Sequence, residues 1–147
     1  MGAHAYWYTV KYRPDVGEAL RELREREFRA GRYNPVIPFP NFPIGPHSPA
    51  PGARHATMAE ALEASGADGT RSIIDLDHVS DEPEIMAVTA LGDAALRDLF
   101  GTTRPTRKMV ETTAELWEDL DRGQGIYIVL YKDDQPDEIY FAGYSFD

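Results

Sequence analysis

Cysteine is absent from all 147 residues, which excludes disulfides, a thiolate nucleophile and a cysteine-bound zinc. That composition suits a reducing cytosol. No run of eighteen apolar residues occurs, so no segment reads as a membrane span, and MGAHAYWYTVKY lacks the basic, apolar and small-residue succession of a signal peptide. Met1 and Gly2 open like a myristoylation signal, but Tyr6 stands where that motif needs Ser or Thr. A cytoplasmic protein with no membrane attachment is expected. The Walker loop, GxGxxG, GxSxG, HExxH and the EF-hand spacing are all missing. Serine is scarce, and none of Ser48, Ser65, Ser72, Ser80 and Ser145 sits in a nucleophile turn. Lysine is scarce as well, three against twelve arginines, and with plentiful Ala and Gly this is the composition of a GC-rich bacterial genome.

What the chain does have is acid. The net charge is −10, and it is unevenly placed: residues 1–56 hold eight basic and five acidic side chains, residues 57–147 seven and twenty. An acidic portion of that kind repels a phosphate backbone, so no nucleic-acid partner is expected. It attracts a basic protein and speeds the encounter; it also serves simply to keep a small domain soluble.

Seven prolines fall within residues 33–51, YNPVIPFPNFPIGPHSPAP, with Val36, Ile37, Phe39, Phe42 and Ile44 between them. Proline fixes φ and removes a donor, so this stretch is neither helix interior nor central strand. Disordered proline-rich linkers lack large apolar residues because they bury nothing. These five predict an ordered loop lying against the rest of the protein, and long ordered loops often serve as lids or binding loops.

Residues 5–12 alternate as a strand, with Tyr6, Tyr8, Val10 and Tyr12 on one face and Trp7, Thr9 and Lys11 on the other. Asp15 with Glu18 forms a capping-box pattern; Val16, Leu20, Leu23 and Phe28 follow at helical spacing, and Gly31 supplies a left-handed stop. Glu22 with Arg26 and Glu25 with Arg29 are i,i+4 pairs. Thr57 and Glu60 open a short helix that stops at Gly66. Residues 70–77 and 85–90 read as two strands joined by Asp81, Glu82 and Pro83, a hairpin with a wide loop. A short helix over 93–100 ends at Gly101; a longer one over 105–122 carries Met109, Thr113, Leu116, Trp117 and Leu120 on its inner face. Residues 126–132 and 138–145 form the last hairpin, linked by 133–137, and the first of these strands is apolar on both faces and therefore central.

Runs of like elements point to an α+β domain spanning 1–147: a mainly antiparallel five-stranded sheet, about four helices on one face, and the proline-rich segment at 32–56 inserted between the first two helices.

Seven of the eight tyrosines, at 6, 8, 12, 127, 131, 140 and 144, lie in the first strand and the last hairpin. They are ordinary strand formers, and an aromatic face also suits binding. The binding version is a groove between that face and the proline segment, built from Trp7, Phe39, Phe42, Tyr127 and Tyr140 with Arg32 and Tyr33 at its mouth. Asp75, Asp77 and His78 are the candidates for catalysis: strand period puts the two carboxylates on one face, about 7 Å apart, a spacing that holds a cation or separates an acid from a base. Asp at strand ends more commonly closes turns. Arg32, Arg54, Arg71 and Arg104 are candidates for an anion site or for internal ion pairs. No cofactor is called for. Three functions remain: a small acidic interaction protein of adaptor, antitoxin or immunity type that binds a basic partner; an enzyme or small-ligand binder using the cleft under the proline segment; and a structural domain that self-associates, as a homodimer, through its aromatic face.

Overall fold

The computed structural model describes residues 3–147. Ala5–Lys11 forms β1 and Val16–Ala30 forms α1. Residues 32–56 contain neither helix nor strand. Met58–Ser65 forms α2, His78–Ser80 β2, Ala87–Ala90 β3, Asp93–Phe100 α3, Arg107–Glu111 α4, Gly125–Lys132 β4 and Gln135–Tyr144 β5. The class is α+β, with one five-stranded sheet in the order β1-β5-β4-β3-β2.

The helix boundaries follow local chemistry. The Asp15 carboxylate accepts from the Glu18 N–H at 3.1 Å, and Gly31 takes the left-handed conformation (φ 76°) that closes α1. A side chain at Gly31 would meet the Gly52 carbonyl at 2.2 Å, because the Gly52 N–H donates to the Ala30 carbonyl at 2.9 Å. Thr57 caps α2 through the Glu60 N–H at 3.1 Å, and the Glu60 carboxylate reaches back to the Ala56 N–H.

The sheet is mixed, not mainly antiparallel. β1 and β5 pair antiparallel, as do β5 and β4; β4 with β3 and β3 with β2 are parallel. Parallel neighbours need a crossover, and α3 and α4 supply it between β3 and β4. The expected hairpin over 70–90 is absent for a related reason. Residues 70–77 are not a strand; they turn through a 3₁₀ segment at Ile73–Asp75, and the strand begins only at His78. Being three residues long, β2 lets residues 81–86 return far enough to start β3 in the same direction, pinned by the Asp77 N–H on the Met86 carbonyl and the Met86 N–H on the Gly123 carbonyl.

Helices cover both faces rather than one. On the first face Ala19, Leu20 and Leu23 of α1, with Ile73 and Leu76, pack on Tyr6, Tyr8, Val88, Ile139 and Phe141. On the second, Leu96 of α3, Val110 of α4 and Leu116 pack on Ile128, Leu130, Tyr140 and Ala142. This is why β4 carries apolar residues on both sides: it is central, between β5 and β3, and sandwiched. A third cluster joins Tyr33, Val36, Ala61 and Ile74 with Phe28, Met58 and Leu62.

The long helix expected over 105–122 is instead the five-residue α4 followed by a 3₁₀ turn at Ala114–Trp117. Thr112 and Thr113 turn their hydroxyls back on the carbonyls of Lys108 and Met109, a bond that competes with helix continuation. The phase shifts accordingly: Val110 is buried and Met109 is 42% exposed. The last hairpin turns on two residues, Asp133 and Asp134, both at positive φ. Pro136 consequently lies inside β5, opposite Tyr131 and beyond the end of β1, where no ladder bond needs its missing N–H.

Candidate functional site

β1 is one of the two outer strands of the sheet, so among the described residues one side of its backbone has no strand neighbour. Which side follows from the register. The Tyr12 N–H donates to the Asp137 carbonyl and the Ser145 N–H to the His4 carbonyl, both at 3.0 Å. Hydrogen-bonded pairs alternate along an antiparallel ladder, so Tyr6, Tyr8 and Val10 turn their backbone groups to β5, and Trp7 and Thr9 turn theirs to the free edge. Among the described residues, the Trp7 and Thr9 backbone groups have no partner on that side.

A trough of about 700 Å³ runs along this edge. Trp7, Tyr8 and Thr9 form its floor; Arg26 of α1 stands on one side, Arg107 and Glu111 of α4 on the other, and residues 41–49, apart from Phe42, close its end. The wall at 41–49 is tied to α1 by one buried carboxylate. Glu27 Oε2 accepts from Arg26 Nε at 3.0 Å and Arg32 Nη1 at 2.9 Å, and Arg32 Nε donates to the Ser48 carbonyl at 3.0 Å. Tyr8 is buried with its hydroxyl approaching the Ile44 carbonyl at 3.5 Å; burial, then the Glu27 charge, pushes its pKa far above the usual phenol value.

The second face adds an aromatic rim. Trp7, 43% exposed, meets the Trp117 ring edge-on at 6.0 Å, and Trp117 meets Tyr144 at 5.3 Å. Trp117 sits within the run 111–121, which carries Glu111, Glu115, Glu118, Asp119 and Asp121 and no basic residue. All five are exposed, and among the described residues only Glu111 is ion-paired, with Arg107.

Of the residues singled out from sequence, Trp7 lines this trough and Arg32 braces it from behind. Tyr33 is not at its mouth: fully buried, it stacks on Phe28 and bonds His55 Nδ1 at 2.6 Å. Phe39 is 63% exposed and packs with Phe42 and His4, away from the residues that line the trough. The guanidinium of Arg71 lies 5.1 Å from the centre of the Phe42 ring. Tyr127 and Tyr140 lie on opposite faces of the sheet, the first against Phe141, the second 3% exposed in the other core, where burial pushes its pKa up to about 12. The tyrosines therefore do not share a face.

Asp75 and Asp77 are not a pair on one strand face. Asp75, 1% exposed, accepts from the Thr70 N–H and hydroxyl, each at 2.7 Å, and from the Arg71 N–H at 3.3 Å. It fastens the turn before β2, and burial raises its pKa against those bonds. Asp77 is exposed and bonds His78 Nδ1, while His78 Nε2 bonds Glu84. The two carboxylates lie at opposite nitrogens of the ring, so they cannot share an ion with it. Among the described residues no group of three or more His, Asp or Glu side chains is arranged to hold a metal. The four arginines do not converge either: Arg32 pairs with Glu27, Arg71 with Asp68 and Asp147, Arg104 with Asp134, and Arg54 is exposed.

Sequence reasoning missed Thr9, Arg26, His47, Arg107 and Glu111. The odd positions of β1 were legible as a face, but nothing in the pattern says which strand ends the sheet. Among the described residues no helix is long and apolar enough to cross a membrane. Comparison of the chain with protein-family models, with curated proteins and with solved structures finds no match.

Proposed function

We propose that the protein is a small acidic protein-binding domain that recognises a basic partner on the surface formed by the β1 trough and the adjoining run 111–121. The observation that carries this is the coincidence of unpaired acids with exposed aromatic surface. Around α1 each glutamate is matched by arginine: Glu18 with Arg21, Glu22 with Arg13, Glu25 with Arg29, Glu27 with Arg26 and Arg32. Around Trp117, Glu115, Glu118, Asp119 and Asp121 have no ion-pair partner among the described residues, so their field extends into solvent and favours a positively charged partner. Tyr and Trp are enriched where partners dock. A cytoplasmic setting belongs to the same proposal and rests on the cysteine-free composition.

Capture from native lysate at low salt tests this, with a parallel capture on the variant carrying Glu115→Gln, Glu118→Gln, Asp119→Asn and Asp121→Asn. The expected result is a stoichiometric basic protein that leaves at high salt and that the variant does not hold. Equal recovery by the variant, or an acidic partner, overturns the reading.

A second reading follows from the trough's volume, which falls within the range of small-molecule sites, and from the guanidinium groups of Arg26 and Arg107 on its two sides. A small anionic ligand fits that chemistry. Isothermal titration with a dicarboxylate series tests it; heat lost in Arg26→Gln and Arg107→Gln would place the ligand there.

A further inference from the structure

Resting on the reading above, we propose that the free edge of β1 accepts an extended, basic segment of the partner as an added outer strand. The recognition chemistry is backbone first. Trp7 and Thr9 each turn toward the trough an N–H and C=O with no partner among the described residues, the Trp7 carbonyl lying beside Gly45 of the wall; they are two residues and about 7 Å apart, which is the repeat of an opposing strand. An extended backbone can replace water along the whole of such a row in register, and strand addition to a sheet edge is a recurring mode of peptide recognition.

Side-chain chemistry then selects the segment. An added strand sends alternate side chains to the two faces. On the second face they pass the exposed indole of Trp7, which packs on Trp117 within the acid-rich run 111–121. A lysine or arginine there gains from the Trp7 ring face and from the field of the carboxylates beside Trp117 that have no ion-pair partner among the described residues. On the α1 face they meet Arg26 and Tyr8, which excludes a second row of cations and favours small apolar residues. The cation on the second face does not oppose a basic strand there, because Arg107 is already held by Glu111 and Glu138. The fitting sequence alternates basic and apolar residues. A second copy of this chain fits poorly, since two molecules of net charge −10 repel.

The test uses four synthetic octapeptides: (Lys-Val)4, (Glu-Val)4, and two forms of (Lys-Val)4, one N-methylated at every lysine and the other at every valine. Binding is followed by tryptophan fluorescence and by amide exchange at Trp7 and Thr9. The expected result is that (Lys-Val)4 binds at least tenfold more tightly than (Glu-Val)4 and slows exchange at both amides. One methylated form binds at least tenfold more weakly and the other like the parent: methylation at lysine is the damaging one for antiparallel addition, at valine for parallel. Thr9→Pro removes an outward N–H without touching the β1–β5 ladder, and it should lose binding by a similar factor with the fold intact. If that variant unfolds, the methylated peptides still decide the matter. Equal binding of both methylated forms and the parent overturns strand addition while leaving the basic-partner reading in place. Preference for (Glu-Val)4 overturns both. Trp7 and Thr9 amides already protected in a sedimenting dimer assign the edge to a second copy and overturn the proposal. No binding of any peptide at millimolar concentration overturns strand addition, and the lysate capture then decides the basic-partner reading separately.

Discussion

The two faces of the sheet are built by different means. The first is covered by one fifteen-residue helix with a side-chain cap at its start and a left-handed glycine at its end, joined by Ile73 and Leu76 of the turn before β2, and its surface charges neutralise one another along α1. The second is covered by an eight-residue helix, a five-residue helix and a single 3₁₀ turn, with tryptophan partly exposed and acids unpaired. A face that spends its side chains on itself is a foundation. The other leaves indole surface exposed and charge unpaired, and it lies beside the edge of β1 that has no strand neighbour among the described residues. Stability should therefore concentrate on the first face and binding on the second.

Truncation in the two cores is the strongest way to break that comparison. Leu20 is 1% exposed against Tyr6 and Tyr8, and Leu96 is 8% exposed on a short helix. Leu20→Ala should cost about 4 kcal/mol and Leu96→Ala about 2 kcal/mol, since the second site can relax around the cavity. Urea denaturation gives both values; equal costs would mean that the faces share the load. The next effect compares two helix stops. Gly31 and Gly101 have nearly the same φ, 76° and 75°, but a Cβ at Gly31 meets the Gly52 carbonyl whereas one at Gly101 meets nothing within 4 Å. Gly101→Ala should cost about 1 kcal/mol for the left-handed backbone alone. Gly31→Ala should cost about 3 kcal/mol, because the chain at Gly52 must also move. Similar losses would show that residues 50–53 yield easily and do not brace α1.

Removing charges gives a smaller contrast. Glu25→Gln on α1 should cost less than about 0.5 kcal/mol, as exposed pairs generally do. Neutralising Glu115, Glu118, Asp119 and Asp121 should leave thermal stability unchanged or slightly raised, since only like-charge repulsion is lost. Thermal denaturation at low salt reads both. A destabilised quadruple variant would mean that those acids hold structure rather than await a partner.

How much of this was legible in the sequence depends on the range of the interaction. Asp15, Gly31, Thr57, Gly66 and Gly101 mark helix ends where they were expected, because a cap is decided within four residues. The central place of β4 was legible from its two apolar faces. Strand direction was not: periodicity is the same for parallel and antiparallel neighbours, and nothing in Ile85 or Met86 announces that β3 starts alongside β2. The burial of Asp75 was hidden for the same reason, since its acceptors' partners at Thr70 and Arg71 meet it only once a turn replaces the expected strand. Of the trough, Trp7 was legible as an aromatic on a strand, but Arg26 and Arg107 come from helices on opposite faces and converge only because β1 ends the sheet.

The finest test lies at the far edge, where the acid-rich half does match its carboxylates. His78 on β2 bonds Asp77 through Nδ1 and Glu84 through Nε2, and the bond to Asp77, then that to Glu84, raises its pKa above the ordinary 6.5. A histidine whose pKa is raised on folding contributes stability that is fully present below about pH 6.5 and is lost as pH rises through the folded value. The ring is about half exposed, so the consequence is local and belongs to the return segment that Glu84 anchors. Amide exchange over residues 81–86, corrected for its intrinsic pH dependence, should be slow at pH 6 and faster above the folded pKa, with α1 amides unaffected. His78→Gln should remove the pH dependence and leave the segment in its high-pH state throughout. If exchange in α1 moved with it, the two faces would be one cooperative unit, and the division between foundation and binding surface would not hold.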